Sequence, residues 1–221
     1  MKDLTLSLIV VALTGVLIAG IFLILAKRRE SEEAALAAYC AGKGYRHSVK
    51  KERLSGETLI ESETFLMRST RVSRVHEAQT GAAGWDSQTV WETKLPVDAA
   101  PAFALGSAPS AGNWESLPDM VKAAAIKQLK RETGIGFPTN GVRPIQTAGG
   151  KAFLVFTQNP GEAEGIAASL LPLLDDFPKD ARLYLLSGPE KVILRLQDHF
   201  VKTASDAQRL IRLGLACTRR P

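Results

Sequence analysis

Charged side chains are absent from Leu4 to Ala26, and Lys27-Arg28-Arg29 closes the gap. A helix over that run measures roughly 34 Å at 1.5 Å per residue, more than the ~30 Å of a bilayer's hydrocarbon core. A secretory leader would carry a shorter apolar region ending in small residues. The run therefore predicts one uncleaved transmembrane helix. Ser31 to Ala41 is Ala-rich, opens with Glu30, Glu32 and Glu33, and ends at Gly42, which predicts a helix continuing from the anchor into water.

Beyond Gly42 the period changes. Tyr45 to Gly56 is polar and basic, and a strand-like run extends from Thr58 to Val75 with Leu59, Ile60, Phe65, Met67 and Val72. Gln79 to Gly84 reads as a loop, and Gln88–Leu95 and Ala102–Gly106 as strands. A helix is expected from Leu117 to Glu132 under a Ser116 cap, with Asp119 three residues on. Val142–Thr147 and Lys151–Thr157 form a predicted hairpin across Ala148-Gly149-Gly150, with a helix after Asn159-Pro160-Gly161. A second hairpin joins Arg182–Ser187 to Lys191–Gln197 across Gly188-Pro189-Glu190, and a helix from Asp206 to Cys217 follows a Ser205 cap.

Three successive ββα units predict an α+β fold, an antiparallel sheet with helices on one face. Met120, Val121, Ala124, Ala125 and Leu129 mark the buried face of the first helix. Ile166, Leu170 and Leu174 do so for the second, and Leu210, Ile211 and Leu215 for the third. The chain divides into an anchor with its basic flank (1–29), a juxtamembrane helix and linker (30–57) and a soluble domain (58–221). The turn-rich Gly134–Gly141 stretch is a candidate lobe boundary.

The net charge of +5 changes the picture through its placement. Lys27, Arg28 and Arg29 stand where anionic headgroups attract each basic residue by roughly 1 kcal/mol, so the excess favours a lipid surface over nucleic acid. The same residues, under the positive-inside rule, place the N-terminus outside and the soluble domain in the cytoplasm, in the inner (cytoplasmic) membrane. Ala12, Gly15 and Ala19 share one side of the helix and supply a small-residue surface for another helix. The apolar segment holds no axial ligand for haem and no proton relay.

Candidate chemistry is sparse. His47, His76 and His199 are dispersed, without metal-ligand spacing. Cys40 and Cys217 form no CxxC and read as reduced thiols, with a single long-range disulfide as the alternative in an oxidising compartment. No nucleophile elbow, P-loop or dinucleotide fingerprint occurs; Gly134-Ile-Gly136 runs into Phe137-Pro138, a turn. Asp175-Asp176 and the Glu61, Glu63 pair read as structural carboxylates. Arg68, Arg71 and Arg74 alternate across a strand and read as solvated charges at a sheet edge. Trp85, Trp91 and Trp114 suit core filling or a partner surface. No catalytic, cofactor-binding or metal-binding residue is assigned.

The apolar span, Lys27-Arg28-Arg29-Glu30, Ala34-Ala35-Leu36-Ala37-Ala38-Tyr39 and Gly44-Tyr45 together resemble uncharacterised bacterial single-pass membrane-anchored proteins. In these a short helix ending near Gly-Trp or Gly-Tyr leads into a soluble α+β domain. The resemblance implies architecture and carries no active site. The expected function is a non-catalytic accessory or scaffold subunit of a larger membrane complex, packed on integral subunits of respiratory or photosynthetic type. The alternatives are a membrane-tethered enzyme with an unrecognised site, and a tethered sensor or binding module for anionic lipid or a protein partner.

Overall fold

Among the described residues nine strands form one sheet in the order β1-β2-β3-β4-β9-β8-β5-β7-β6. They are β1 (Arg46–Lys51), β2 (Ser55–Glu61), β3 (Phe65–Ser73), β4 (Trp85–Thr93), β5 (Phe103–Ser107), β6 (Gly141–Gln146), β7 (Ala152–Thr157), β8 (Arg182–Ser187) and β9 (Val192–Gln197). Every pairing is antiparallel. Four helices among the described residues accompany the sheet: α1 (Lys2–Gly42), α2 (Asp119–Thr133), α3 (Glu162–Asp175) and α4 (Ala204–Cys217). The structure, a computed structural model, describes residues 2–73, 84–94, 96, 102–108, 114, 116–133, 141–157, 161–178 and 181–218. The side chains of 2–12, 129, 132, 133, 141, 163 and 167 are excepted. The expected loop over 79–83, the boundary at 134–140, Arg74 and His76 lie outside the described residues.

The α+β class is as expected, but the helices occupy both faces. In β2 burial alternates, with Gly56, Thr58 and Ile60 inward, as in a strand covered on one side. In β5 and β7 consecutive residues are buried, Phe103 to Gly106 and Phe153 to Thr157, which requires cover on both sides. Phe103, Leu105, Phe153 and Val155 face α1, α3 and α4 with Trp91, Leu36 and Leu210. Ala104, Leu154, Phe156 and Tyr184 face α2 through Ala125 and Ile126. Met120 is 80% exposed and Val121 is exposed too, so α2 is rotated from the expected burial face.

The expected first ββα unit does not exist as a hairpin. β4 pairs with β3 and β9, whereas β5 pairs with β7 and β8, so two strands separate them. Instead β5 to β8 runs β-α-β-β-α-β with the spatial order β8-β5-β7-β6. The long run over 58–75 is also divided, into β2 and β3. Ser62 Oγ accepts from the amides of Thr64 and Phe65 at 3.1 Å each, and this polar turn reverses the chain. Part of the expected linker, Arg46–Lys51, pairs with β2 as the sheet's edge strand.

Among the described residues no helix is long and apolar enough to cross a membrane. Lys27-Arg28-Arg29-Glu30 breaks the apolar character of α1 in its middle, and Glu32 and Glu33 follow. This corrects the expected single-pass anchor over Leu4–Ala26, and with it the N-out, C-in placement in the inner membrane. The helix ends in a Schellman motif: Tyr45 N–H donates to Cys40 O (2.8 Å), Gly44 N–H to Ala41 O (3.1 Å), and Gly44 takes φ +71°. The Tyr45 ring closes it edge-on against Tyr39.

α4 starts two residues earlier than expected, under Thr203. Thr203 Oγ1 accepts from Asp206 N–H at 3.1 Å while Asp206 accepts from Thr203 N–H, a reciprocal capping box. The other end of a helix is closed by a lysine: Lys151 Nζ donates to the carbonyls of Leu174 and Asp175 at the C-terminus of α3, beside the Asp175 carboxylate. Its side chain is only 9% exposed, so the charge meets the helix dipole with little solvent screening. Lys151→Met keeps the stem and removes these bonds; urea denaturation should show a loss of about 1–2 kcal/mol.

Candidate functional site

The C-terminal half of α1 packs on β1 and α4, with Leu36 and Cys40 buried. Its described N-terminal part is an arm whose large apolar side chains, from Leu13 to Leu25, stand exposed; Val16 and Leu23 are 72% exposed. Leu23, Ile24 and Leu25 are all exposed at successive 100° steps, as are Val16, Leu17 and Ile18, so the arm is apolar around its circumference. Gly15 and Ala19 lie on this arm, and nothing approaches within 4 Å of a β-carbon placed on Gly15. The side chain of Ala12 falls outside the described residues.

At the foot of the arm is a groove of about 780 Å³. Its floor is the inward face of the β1–β4 end of the sheet. Register places Lys51 opposite Gly56, Gly56 opposite Arg71 and Arg71 opposite Ser87, one row across four strands. One wall is α1, from Leu25 to Leu36, and the other is the connection from β9 to α4, Asp198 to Asp206.

Arg71 lies at the centre. Its guanidinium carbon is 5.2 Å from the Trp85 ring centroid and 4.8 Å from that of Phe200. Its Nε is buried without a hydrogen-bond partner, lying over Gly56, where a β-carbon would come within 2.8 Å of it. Glycine at 56 is what allows the side chain to lie flat.

A buried chain of hydrogen bonds holds the Phe200 wall. Val201 N–H donates to Ser69 Oγ (2.9 Å), Ser69 and Thr89 hydroxyls are 2.8 Å apart, and Thr89 donates to His199 O (3.0 Å). Thr89 has one proton and gives it to the carbonyl, so Ser69 must donate to Thr89. The run is satisfied end to end, and it fixes residues 199–201 against β3 and β4.

The groove's charges are unequal. Glu32 pairs with Arg28, Glu33 with Lys51, Asp198 with Arg182, and Asp206 serves the α4 cap near His199. Among the described residues Arg29, Lys50, Arg71 and Lys202 have no carboxylate partner. Of the expected surface cations, Arg28 and Arg29 line this groove and Lys27 is exposed on α1.

Other expected candidates separate. Trp91 and Trp114 are core residues, in different clusters, while Trp85 is half exposed in the groove. Asp175 accepts from Gly149 N–H at 3.1 Å, and Asp176 caps α3 and faces Arg212. Glu61 is held below the usual carboxylate range by its hydrogen bond from Lys94. His47, on β1, is drawn below its ordinary value by burial, with Glu33 opposing. Among the described residues no group of three or more His, Cys, Asp or Glu is placed to hold a metal ion.

Cys40 and Cys217 are both free and buried, and burial pushes both thiols up. Because the thiolate is the reactive form, neither should modify in the folded protein: a chromogenic disulfide reagent should react at a rate set by unfolding, roughly a hundredfold or more below that in denaturant.

Arg71 is the residue that sequence reading misplaced. β3 is an interior strand, between β2 and β4, and the spacing of three puts Arg71 on the face opposite Arg68, which pairs with Glu57 at 3.1 Å. The signal was the alternation itself: Arg71 shares parity with Phe65, Met67 and Ser69, all buried. No family model matches the chain, and no curated protein or solved structure is similar to it.

Proposed function

We propose that this chain is a non-catalytic accessory or scaffold subunit of a larger protein complex, which it joins by the apolar arm of α1. The supporting observation is the exposure of apolar side chains around the whole circumference of residues 13–25. A helix apolar on every side reaches its free-energy minimum only when surrounded, and a single flat partner would leave most of it in water. The occupant is a set of apolar helices from partner subunits that enclose the arm.

The test is native purification through a C-terminal tag, comparing wild type with Leu17→Glu/Leu23→Glu. Both positions are exposed, so the sheet should keep its circular dichroism and Tm. Wild type should emerge in a particle of defined stoichiometry with other chains, cross-linked through residues 13–25. The double variant should retain roughly tenfold less of them. A wild-type monomer, an assembly built only of this chain, or undiminished assembly by the variant would each overturn the proposal.

A further inference from the structure

We propose that the groove at the foot of the α1 arm binds an amphipathic anion, a phosphate monoester whose head is held by Arg71 and whose apolar body lies against Trp85, Phe200 and Leu25. Three independent features of the groove converge on that chemistry.

The first is donor geometry. A guanidinium packed over two rings can hydrogen bond only in its own plane, and Arg71 turns its Nε toward Gly56, where there is no acceptor. The terminal nitrogens remain as a fork for two oxygens of one anion, the pairing to which arginine is best suited. The second is charge. The carboxylates lining the groove all have partners, while Arg29, Lys50 and Lys202 join Arg71 without one, an excess that balances a dianion better than a carboxylate. The third is size and lining. About 780 Å³ far exceeds a bare phosphate, and apolar walls stand beside the cations, the composition of a site for an organic ligand with a charged end.

Gly56 and Ser69 are positioning residues here. Gly56 leaves the space in which the Arg71 side chain lies, and Ser69 tethers the backbone that carries Phe200.

The experiment is calorimetric titration of the full chain with octyl phosphate below its micelle concentration, and with inorganic phosphate and octyl glucoside as the two halves of the ligand. Octyl phosphate should bind saturably, with each half at least roughly tenfold weaker. Arg71→Gln should weaken octyl phosphate roughly tenfold or more, its fold checked by Tm. Lys50→Gln/Lys202→Gln, at exposed positions that leave folding intact, should weaken it about threefold and flatten its salt dependence. Absence of saturable binding, inorganic phosphate binding as tightly as octyl phosphate, or full affinity in Arg71→Gln or in the lysine pair would overturn the assignment.

Discussion

Gly214→Ala should lower the stability of the fold by about 3 kcal/mol and its Tm by roughly 6–12 °C. Gly214 faces Trp91 where α4 crosses β4, and a β-carbon there would sit 2.5 Å from the indole ring. The ring is fully buried, stacked on Phe65 at 5.5 Å between centroids, and has no room to retreat. The sign is informative, because helix propensity alone favours alanine over glycine by about 1 kcal/mol in a helix interior. Overpacking must therefore outweigh a favourable backbone effect. Combining Gly214→Ala with Trp91→Phe should recover most of the loss, since the smaller ring yields space and the indole N–H has no acceptor to forfeit. Thermal denaturation of the four-protein cycle measures this; a Gly214→Ala protein as stable as wild type would mean α4 does not sit this close to the sheet.

The second large effect is expected at Ser69. Ser69→Ala removes the middle of the chain of bonds from Val201 to His199 and leaves the Val201 amide, in a fully buried residue, without an acceptor. An unsatisfied buried donor costs about 1–3 kcal/mol, and the full loss should appear in urea denaturation. Thr89→Val breaks the same chain from the other side, so the two substitutions should be strongly non-additive. Hydrogen exchange separates this from a general softening: the amides of 199–201 should lose protection first, while those of β7 and β8 keep theirs. Equal loss throughout would show that the network carries no local role.

Elements governed by neighbours in sequence were legible. The β6–β7 and β8–β9 hairpins follow from alternating bulk either side of short polar turns, and the apolar faces of α3 and α4 from their helical spacing. Where a local signal is ambiguous the helix start shifts by two residues: the α4 cap is Thr203 and not the expected Ser205, because Thr203, with Asp206 three residues on, meets the capping-box pattern. The run over 58–75 concealed a reversal at Ser62 because a tight turn made of Ser, Glu and Thr contains neither Gly nor Pro.

The candidate site was hardly legible, because its members come from distant parts of the chain. Gly56, Arg71, Trp85 and Phe200 meet only through sheet register and the return of the chain after β9. The sequence marks Arg28 and Arg29 as cations for a lipid surface, and the groove they line depends on α1 lying against β1.

By itself, the amino-acid sequence determined the α+β class, the period and sense of most elements, the cationic collar after the apolar run, and the two thiols as an unframed pair. These depend on composition and on spacings of a few residues, which set local propensity. Tertiary structure alone decided that helices cover both faces, that β4 and β5 lie apart, and that Arg71 is turned inward between two rings. Each of those depends on which distant surfaces meet, and burial is a property of the assembled pair, not of either segment.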